Sequence, residues 1–430
     1  MGPIAGQDDG GGDGAVRRQY EAYPYPARDP GDEARRLITG SPSHILEIEH
    51  FVCAGGRAGN LRALVAGGGT GDGAIMLAQQ LADRGTGSVT YLDMSAASLA
   101  VARARSTARG LDNITFHQGS LLDLAAFDWA PFDYIDCCGV LHHLADPGDG
   151  LAALVSVLAP GGGLGLMLYG ELGRTGVYPA QRAIARLAGD SPAAERLAIA
   201  RAMVDAMPAG NWLKRNNYLA DHLAGDDAGF HDLLLHSRDR AFLVEEVVAL
   251  AGGAGLAISG FLPVGAYDPE IYLNGDASAD LTQVAAALDR TQRWALAEEL
   301  SGALKTHVFY AVRQGQTRLG AAGPFAPDLV PVLRDMAADG LAASLAASPR
   351  LTATLGGVDR QFEVPSDAAA IIALIDGKRT LRQIHGRLRA QGVKFGGAKL
   401  DWVAFHAGFS ELYAVLHPLN ILLFAGAVLD

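Results

Sequence analysis

The segment LRALVAGGGTGDGAIMLAQQLAD, Leu61 to Asp83, joins an apolar run to a glycine cluster and then to residues with helical apolar spacing. Apolar text of five or six residues bounded by glycine reads as a buried strand, and the spacing of Ile75, Leu77, Ala78 and Leu81 reads as one face of a helix. The pattern then repeats outward. SVTYLDM is a second strand, ASLAVARARSTARG a helix and ITFHQGS a third strand, which makes a βαβαβ series with right-handed crossovers and a parallel sheet. FDYIDCCGV continues it as a fourth strand, GLAALVSVLAPGG as a helix stopped by Pro160 and the following glycines, and GLGLMLYG as a fifth strand.

Residues 171–240 have helical spacing and interrupt the sheet as an inserted cap, after which LAISGF and THVFYAVR return as strands. The predicted fold is α/β, a doubly wound, mostly parallel, seven-stranded Rossmann-like sheet over residues 61–315. Residues 1–15 read as a disordered Gly/Asp tail, 16–60 as an N-terminal lid with leading helices, and 316–328 as a linker. Residues 329–430 read as a small accessory α+β domain: a strand, a helix capped by Ser366 or Asp367, a turn at Asp376-Gly377, a helix from Thr380, a third helix and the strand NILLF.

Composition narrows the class. The chain of 430 residues is 49% hydrophobic, enough for sizeable cores, and its net charge of −12 argues against a nucleic-acid partner. The three cysteines, Cys53, Cys137 and Cys138, form neither a disulfide framework nor a metal-ligand spacing, which suits a reducing cytoplasm and predicts no metal. The uncharged stretch 150–170 is broken by Pro160 and its glycines, so no membrane span is expected.

Glycines at 67, 68, 69, 71 and 73, between a strand and a helix, let the backbone approach a ligand and point N–H groups at it. Asp93 closes the second strand, where a carboxylate meets a ribose diol in such units. Gly69 to Ala74 formally matches the dinucleotide fingerprint G-x-G-x-x-A, which keeps an NAD(P)-linked oxidoreductase open. The register favours another cofactor, because the run Gly67, Gly69, Gly71 puts Asp72 where the dinucleotide motif needs its third small residue.

At this point the ordered pieces LVAGGGTG, YLDMS, GSLLDL, FDYIDCCGVLHHLADP, LAPGGGLGLM and AGLAISGF resemble the class I S-adenosylmethionine-dependent methyltransferases, over Tyr20 to about Arg313. The resemblance implies S-adenosylmethionine as cofactor. Gly67, Gly69 and Gly71, with Thr70 among them, would line its methionine moiety, Asp93 would hold the ribose hydroxyls, and Met94 would flank the adenine. Ser120 and Leu121 would meet the adenine edge, with Cys138 beside the cofactor. Many relatives carry an acid two positions before the first glycine. Here Val65 stands there, so the cofactor's ammonium needs another partner; Ser120 likewise replaces an acid.

Methyl transfer from a sulfonium needs alignment and water exclusion, and a base only for a protonated acceptor. In GVLHHLADP, His142 or His143 is the candidate base, with His142 preferred because the equivalent loop position faces the pocket in similar enzymes. By the same resemblance QYEAYPYPARDP, Gln19 to Pro30, is a lid over the cofactor, with Tyr20 and Tyr25 as contacts and Tyr23 turned to substrate. Pro24 and Pro26 predict an extended backbone there. In the cap, Asn216, Asn217, His222, His231, His236 and Arg240 are polar candidates, of which Asn217, His236 and Arg240 are expected at the substrate, and Asp239 reads as a helix cap.

The C-terminal text IIALIDGKRTLRQI resembles winged-helix modules that accompany bacterial protein methyltransferases. A peptide partner there would make the acceptor a protein, whereas a module that only forms a homodimer leaves a small-molecule acceptor open. A third reading is a non-catalytic cofactor-binding regulator acting through that domain.

Overall fold

Seven apolar runs become the strands of one sheet. They are β1 (Arg62–Ala66), β2 (Ser88–Asp93), β3 (Ile114–Gln118), β4 (Phe132–Cys138), β5 (Leu158–Tyr169), β6 (Leu256–Leu262) and β7 (Thr306–Arg313). The computed structural model describes residues 12–220, 223, 227–273, 278–319, 325–395 and 398–426. Strand order is β3-β2-β1-β4-β5-β7-β6, with β1 to β5 parallel and β7 antiparallel to both its neighbours. One core, around Leu64, Ile135, Leu164 and Phe309, covers one face. A second, around Ala63, Leu77, Tyr91 and Val312, covers the other.

Two expectations are corrected here. Pro160 does not end a helix: the helix Pro147–Ser156 stops earlier, and β5 runs from Leu158 through the proline and its glycines. The register explains this. Phe132 pairs with Leu158 but Tyr134 pairs with Gly163, so residues 159–162 bulge out of the ladder, where proline forfeits no hydrogen bond. At the N-terminus, the helix Gly12–Ala22 begins inside the expected tail and carries Tyr20, so only the residues after it have irregular backbone. Residues 1–11 and His222 lie outside the described residues.

The cap is a helical layer, mainly Val177–Ala188 and Ala193–Ala206, with its own core of Val177, Ile184, Phe230 and Leu233. Beyond β7, Gln316 and Arg318 of the expected linker donate to the backbone carbonyls of Gly161 and Ile258 in the sheet domain. The C-terminal residues form helices Ala338–Ala347, Ala368–Ile372, Leu381–Ala390 and Trp402–Leu416 around Phe405, Phe409 and Leu412. The helix at 381 has a capping box of Thr380 and Gln383, whereas at 368 the N-cap Asp367 makes no side-chain bond. The strand Leu422–Phe424 pairs antiparallel with Pro331–Leu333 and closes the unit. Among the described residues no helix is long and apolar enough to cross a membrane.

One buried carboxylate ties this unit to the sheet. Glu47 accepts hydrogen bonds from Ser41 Oγ at 2.6 Å, Tyr310 Oη at 2.8 Å and Asn420 Nδ2 at 2.6 Å, and pairs with Arg334 at 2.9 Å. Burial pushes its carboxyl up while Arg334 and the three donors hold it down. Removing one member of such a network strands the others. Glu47→Ala is therefore expected to cost about 3 kcal/mol or more of unfolding free energy in urea; a loss under about 1 kcal/mol would contradict this role.

Candidate active site

At the carboxyl end of β1 the chain turns with Gly67, Gly69 and Gly71 at φ of +75°, +53° and +103°. Side chains are excluded on both sides. A Cβ on Gly68 would lie 2.3 Å from the ring of Tyr91, and one on Gly69 would lie 2.8 Å from the carbonyl oxygen of Tyr25. The segment carrying Tyr25 is thus laid against the turn itself. Thr70 Oγ1 donates to the Pro26 carbonyl at 2.7 Å, and Arg28 pairs with Asp72 at 2.6 Å. Behind them the fully buried Arg105 pairs with Asp72 at 2.7 Å and Glu33 at 2.6 Å, and donates to the Thr70 carbonyl at 2.8 Å.

Between turn and overlying segment lies a cavity of about 450 Å³ at the carboxyl edge of the sheet, where ligands of doubly wound folds bind. Of the residues expected at the cofactor, Tyr20, Tyr25, Gly67, Gly69, Asp93, Met94, Ser120, Leu121 and Cys138 line it. Thr70 and Gly71 do not: Thr70 is buried under Pro26, and Gly71 caps the helix Asp72–Asp83, its Cβ position 2.9 Å from Ala102. Asp93 is braced by the N–H groups of Gly69 and Ser95, each at 2.8 Å, and burial raises its pKa. A glycine cradle, a braced acid at the end of β2 and apolar walls at Met94 and Leu121 fit an adenosyl ligand.

The histidines divide otherwise than expected. His143 lines the cavity, and His142 does not. The ring of His142 is buried against Tyr169 at 3.8 Å, with neither nitrogen hydrogen-bonded, because consecutive residues of this short 3₁₀ turn, Leu141–His143, face different ways. Of the cap residues, His236 stacks on His143 at 3.8 Å without reaching the cavity wall. Tyr23 stacks on His231 at 4.5 Å, Arg240 pairs with Glu246 at 2.5 Å over the Phe242 ring, and Asn217 is exposed. None of those three lines the cavity. Asn216 braces the carbonyls of Gly173 and Thr175, and Asp239 caps no helix but pairs with Arg174 at 2.9 Å.

What brings the far end together is a group that motif reading misses. Asp232 accepts from Tyr20 Oη at 3.2 Å and Tyr169 Oη at 2.7 Å. Tyr20 Oη also lies 3.3 Å from Nε2 of both His143 and His236. Their partners assign the tautomers. His236 Nδ1 accepts from the Arg238 N–H, so its Nε2 carries the proton and donates to Tyr20; His143 Nδ1 lies 2.9 Å from the Arg238 carbonyl and must donate, which leaves Nε2 a lone pair. Tyr20 has one proton and gives it to Asp232. The His143 Nε2 lone pair is therefore left without a donor at the cavity wall. His143, Asp232 and His236 bring one potential metal-ligating atom each within 4.8 Å of one another, but with its Nδ1 so engaged His236 presents an N–H rather than a lone pair. Burial pushes His143 down to about 4 and raises the phenols of Tyr20 and Tyr169.

Comparison with known proteins agrees with this geometry. A family described as a methyltransferase domain matches residues 64–164. An uncharacterized protein of a Synechococcus species is 35% identical over 311 residues, 70% of this chain and 71% of that protein. The tRNA 5-carboxymethoxyuridine methyltransferase of Escherichia coli K12 is 40% identical over 26% of this chain and 42% of its own length. The ubiquinone biosynthesis O-methyltransferase of Alkalilimnicola ehrlichii is 33% identical over 31% of this chain and 51% of its own length. Among solved structures, PKMT2 from Rickettsia typhi shares the fold at a TM-score of 0.60 and 14% identity, covering 90% of this chain and 77% of that one. It has also been solved in complex with AdoHcy. The chain belongs to one family with the Synechococcus protein, and residues 64–164 form a methyltransferase domain of the class I type. It is a methyltransferase that uses S-adenosylmethionine, and the oxidoreductase reading falls away.

The contact between Gly69 and the overlying segment can be tested by filling it. Gly69→Ala forces a positive φ on a side chain and pushes against the Tyr25 carbonyl, and is expected to weaken S-adenosylhomocysteine binding about tenfold or more by calorimetry. Unchanged affinity would mean that the close approach is not required.

Proposed function

We propose that the cavity holds the cofactor with its adenine toward Met94 and Leu121, its ribose at Asp93 and its methionine part along the glycine turn. In this reading the helix Gly12–Ala22 and the Tyr-Pro segment act as a lid, and the acceptor meets the methyl group at the end formed by Tyr20, His143, Tyr169 and Asp232. When bound, the cofactor supplies an electrophilic methyl on a sulfonium whose leaving group is neutral. The chain's own task is then to align the acceptor, exclude water and take its proton. His143 takes that proton on Nε2, while its Nδ1–H is anchored on the Arg238 carbonyl. Tyr20, donating to Asp232, leaves that lone pair available.

The observation that carries this reading is His143 on the wall of a glycine-cradled cavity, its Nδ1 2.9 Å from the Arg238 carbonyl, which in the tautomer assigned above leaves the lone pair on Nε2. It favours an acceptor that arrives protonated, a hydroxyl or a nitrogen, over a carbon. The name of the ubiquinone biosynthesis O-methyltransferase supports oxygen. The C-terminal residues serve in this proposal as an accessory, winged-helix-like module that selects a polypeptide or holds a partner, supported by the basic Arg382, Arg387 and Arg389 on the helix Leu381–Ala390.

The test uses labelled methyl donor and fractionated cell extract as the acceptor source. His143→Ala is expected to lower turnover by roughly 10²-fold or more, and His142→Ala by much less. Equal losses would remove His143 from the role. The pH dependence follows from burial of the imidazole. A base with a pKa of about 4 stays neutral down to pH 5, so the rate should hold level between pH 8 and pH 6. An acid limb centred near 6.5, the ordinary histidine value, would contradict a desolvated base.

A further inference from the structure

We infer that Asp136, on β4, is the counter-ion of the cofactor's α-ammonium group. The inference rests on the methyltransferase reading of the cavity and adds the partner that the glycine turn itself lacks. Four carboxylates line the cavity: Asp72, Asp93, Asp136 and Asp232. Three are already engaged. Asp72 is neutralised by Arg28 and Arg105, Asp93 is braced at the ribose end by two backbone N–H groups, and Asp232 accepts from two tyrosine hydroxyls at the acceptor end.

The donors named for Asp93 and Asp232 are neutral too, so what sets Asp136 apart is its depth and its place in the sheet. It is only 3% exposed, and its hydrogen-bond partners are the Ser43 hydroxyl and, at 3.2 Å, the backbone N–H of Cys138, neither of them charged. A buried carboxylate without a cation is costly, and such groups are retained where a ligand supplies the missing charge. Burial accordingly pushes it up to about 6. Its position suits the ligand's amino-acid end. In the sheet Asp136 is the direct partner of Val65, two residues before the first turn glycine, and a Cβ on Gly73 would lie 3.4 Å from its Oδ2. Both Val65 and Asp136 face the cavity. The acid that β1 does not carry is thus present one strand over, on the same rung.

The experiment separates this ion pair from the rest of the cofactor site by comparing two ligands on the full chain. S-adenosylhomocysteine carries the α-ammonium, whereas 5′-methylthioadenosine has the adenosine without the amino-acid part. Asp136→Asn keeps the size of the side chain and its contact with Ser43. Calorimetry is expected to show S-adenosylhomocysteine weakened at least about thirtyfold with methylthioadenosine within about twofold of wild type. Asp136→Ser, which creates more space, is expected to show the same selectivity and stands in if the first variant does not fold. Equal weakening of both ligands, or no change in either, would overturn the inference. Failure of wild type to bind either ligand would instead overturn the cofactor reading.

Discussion

The structure depends on a turn whose glycines, 67 to 69 and 71, have no room for side chains. Tyr91 closes it from below and the Tyr25 carbonyl from above, so the turn is a slot whose lower wall is a strand and whose upper wall is the N-terminal segment. From this follow a cavity walled by backbone groups and the closeness of Tyr20 to His143 and Asp232. The salt bridges of Arg28 and Arg105 hold the upper wall in place. The long reach from residue 28 to residue 105 is what turns a loose N-terminal segment into part of a binding site.

Electrostatics divide the cavity into zones. At one end Asp93 is a carboxylate braced by two backbone N–H groups; in the middle Asp136 is desolvated and without a cation; at the other end two phenols, two neutral imidazoles and Asp232 form a hydrogen-bonded network. A reaction that consumes a positive charge on sulfur is not opposed by imidazoles that burial keeps neutral. Groups that strongly stabilised the charged ground state at the methyl itself would slow it. Glu47 extends the same logic to the C-terminal unit, since Ser41, which lines the cavity, shares this carboxylate with Asn420 and Arg334.

Much of this was legible in the chain. The alternation from Leu61 to Gly170 announces the parallel sheet, and the glycine turn and Asp93 locate the cavity, because local period and turn chemistry decide them. The errors have physical causes. Pro160 reads as a stop only if the strand it sits in has no bulge, and bulges depend on the partner strand. Which of His142 and His143 faces inward is set by a 3₁₀ turn that sequence period does not reveal. Asp232 and Tyr169 are brought together across 63 residues, so no motif contains them both. Asp136 left a trace, a charge inside the apolar run FDYIDCCG, that gains meaning once its rung-mate is known to be Val65.

The most direct test of the account is calorimetric titration of the full chain with S-adenosylhomocysteine and, separately, with NADH, using Asp93→Ala as control. The structure predicts micromolar binding of S-adenosylhomocysteine, lost or severely weakened in the variant, and no heat from NADH. Binding of NADH alone, or of neither ligand, would contradict the central claim that the glycine slot is built for S-adenosylmethionine.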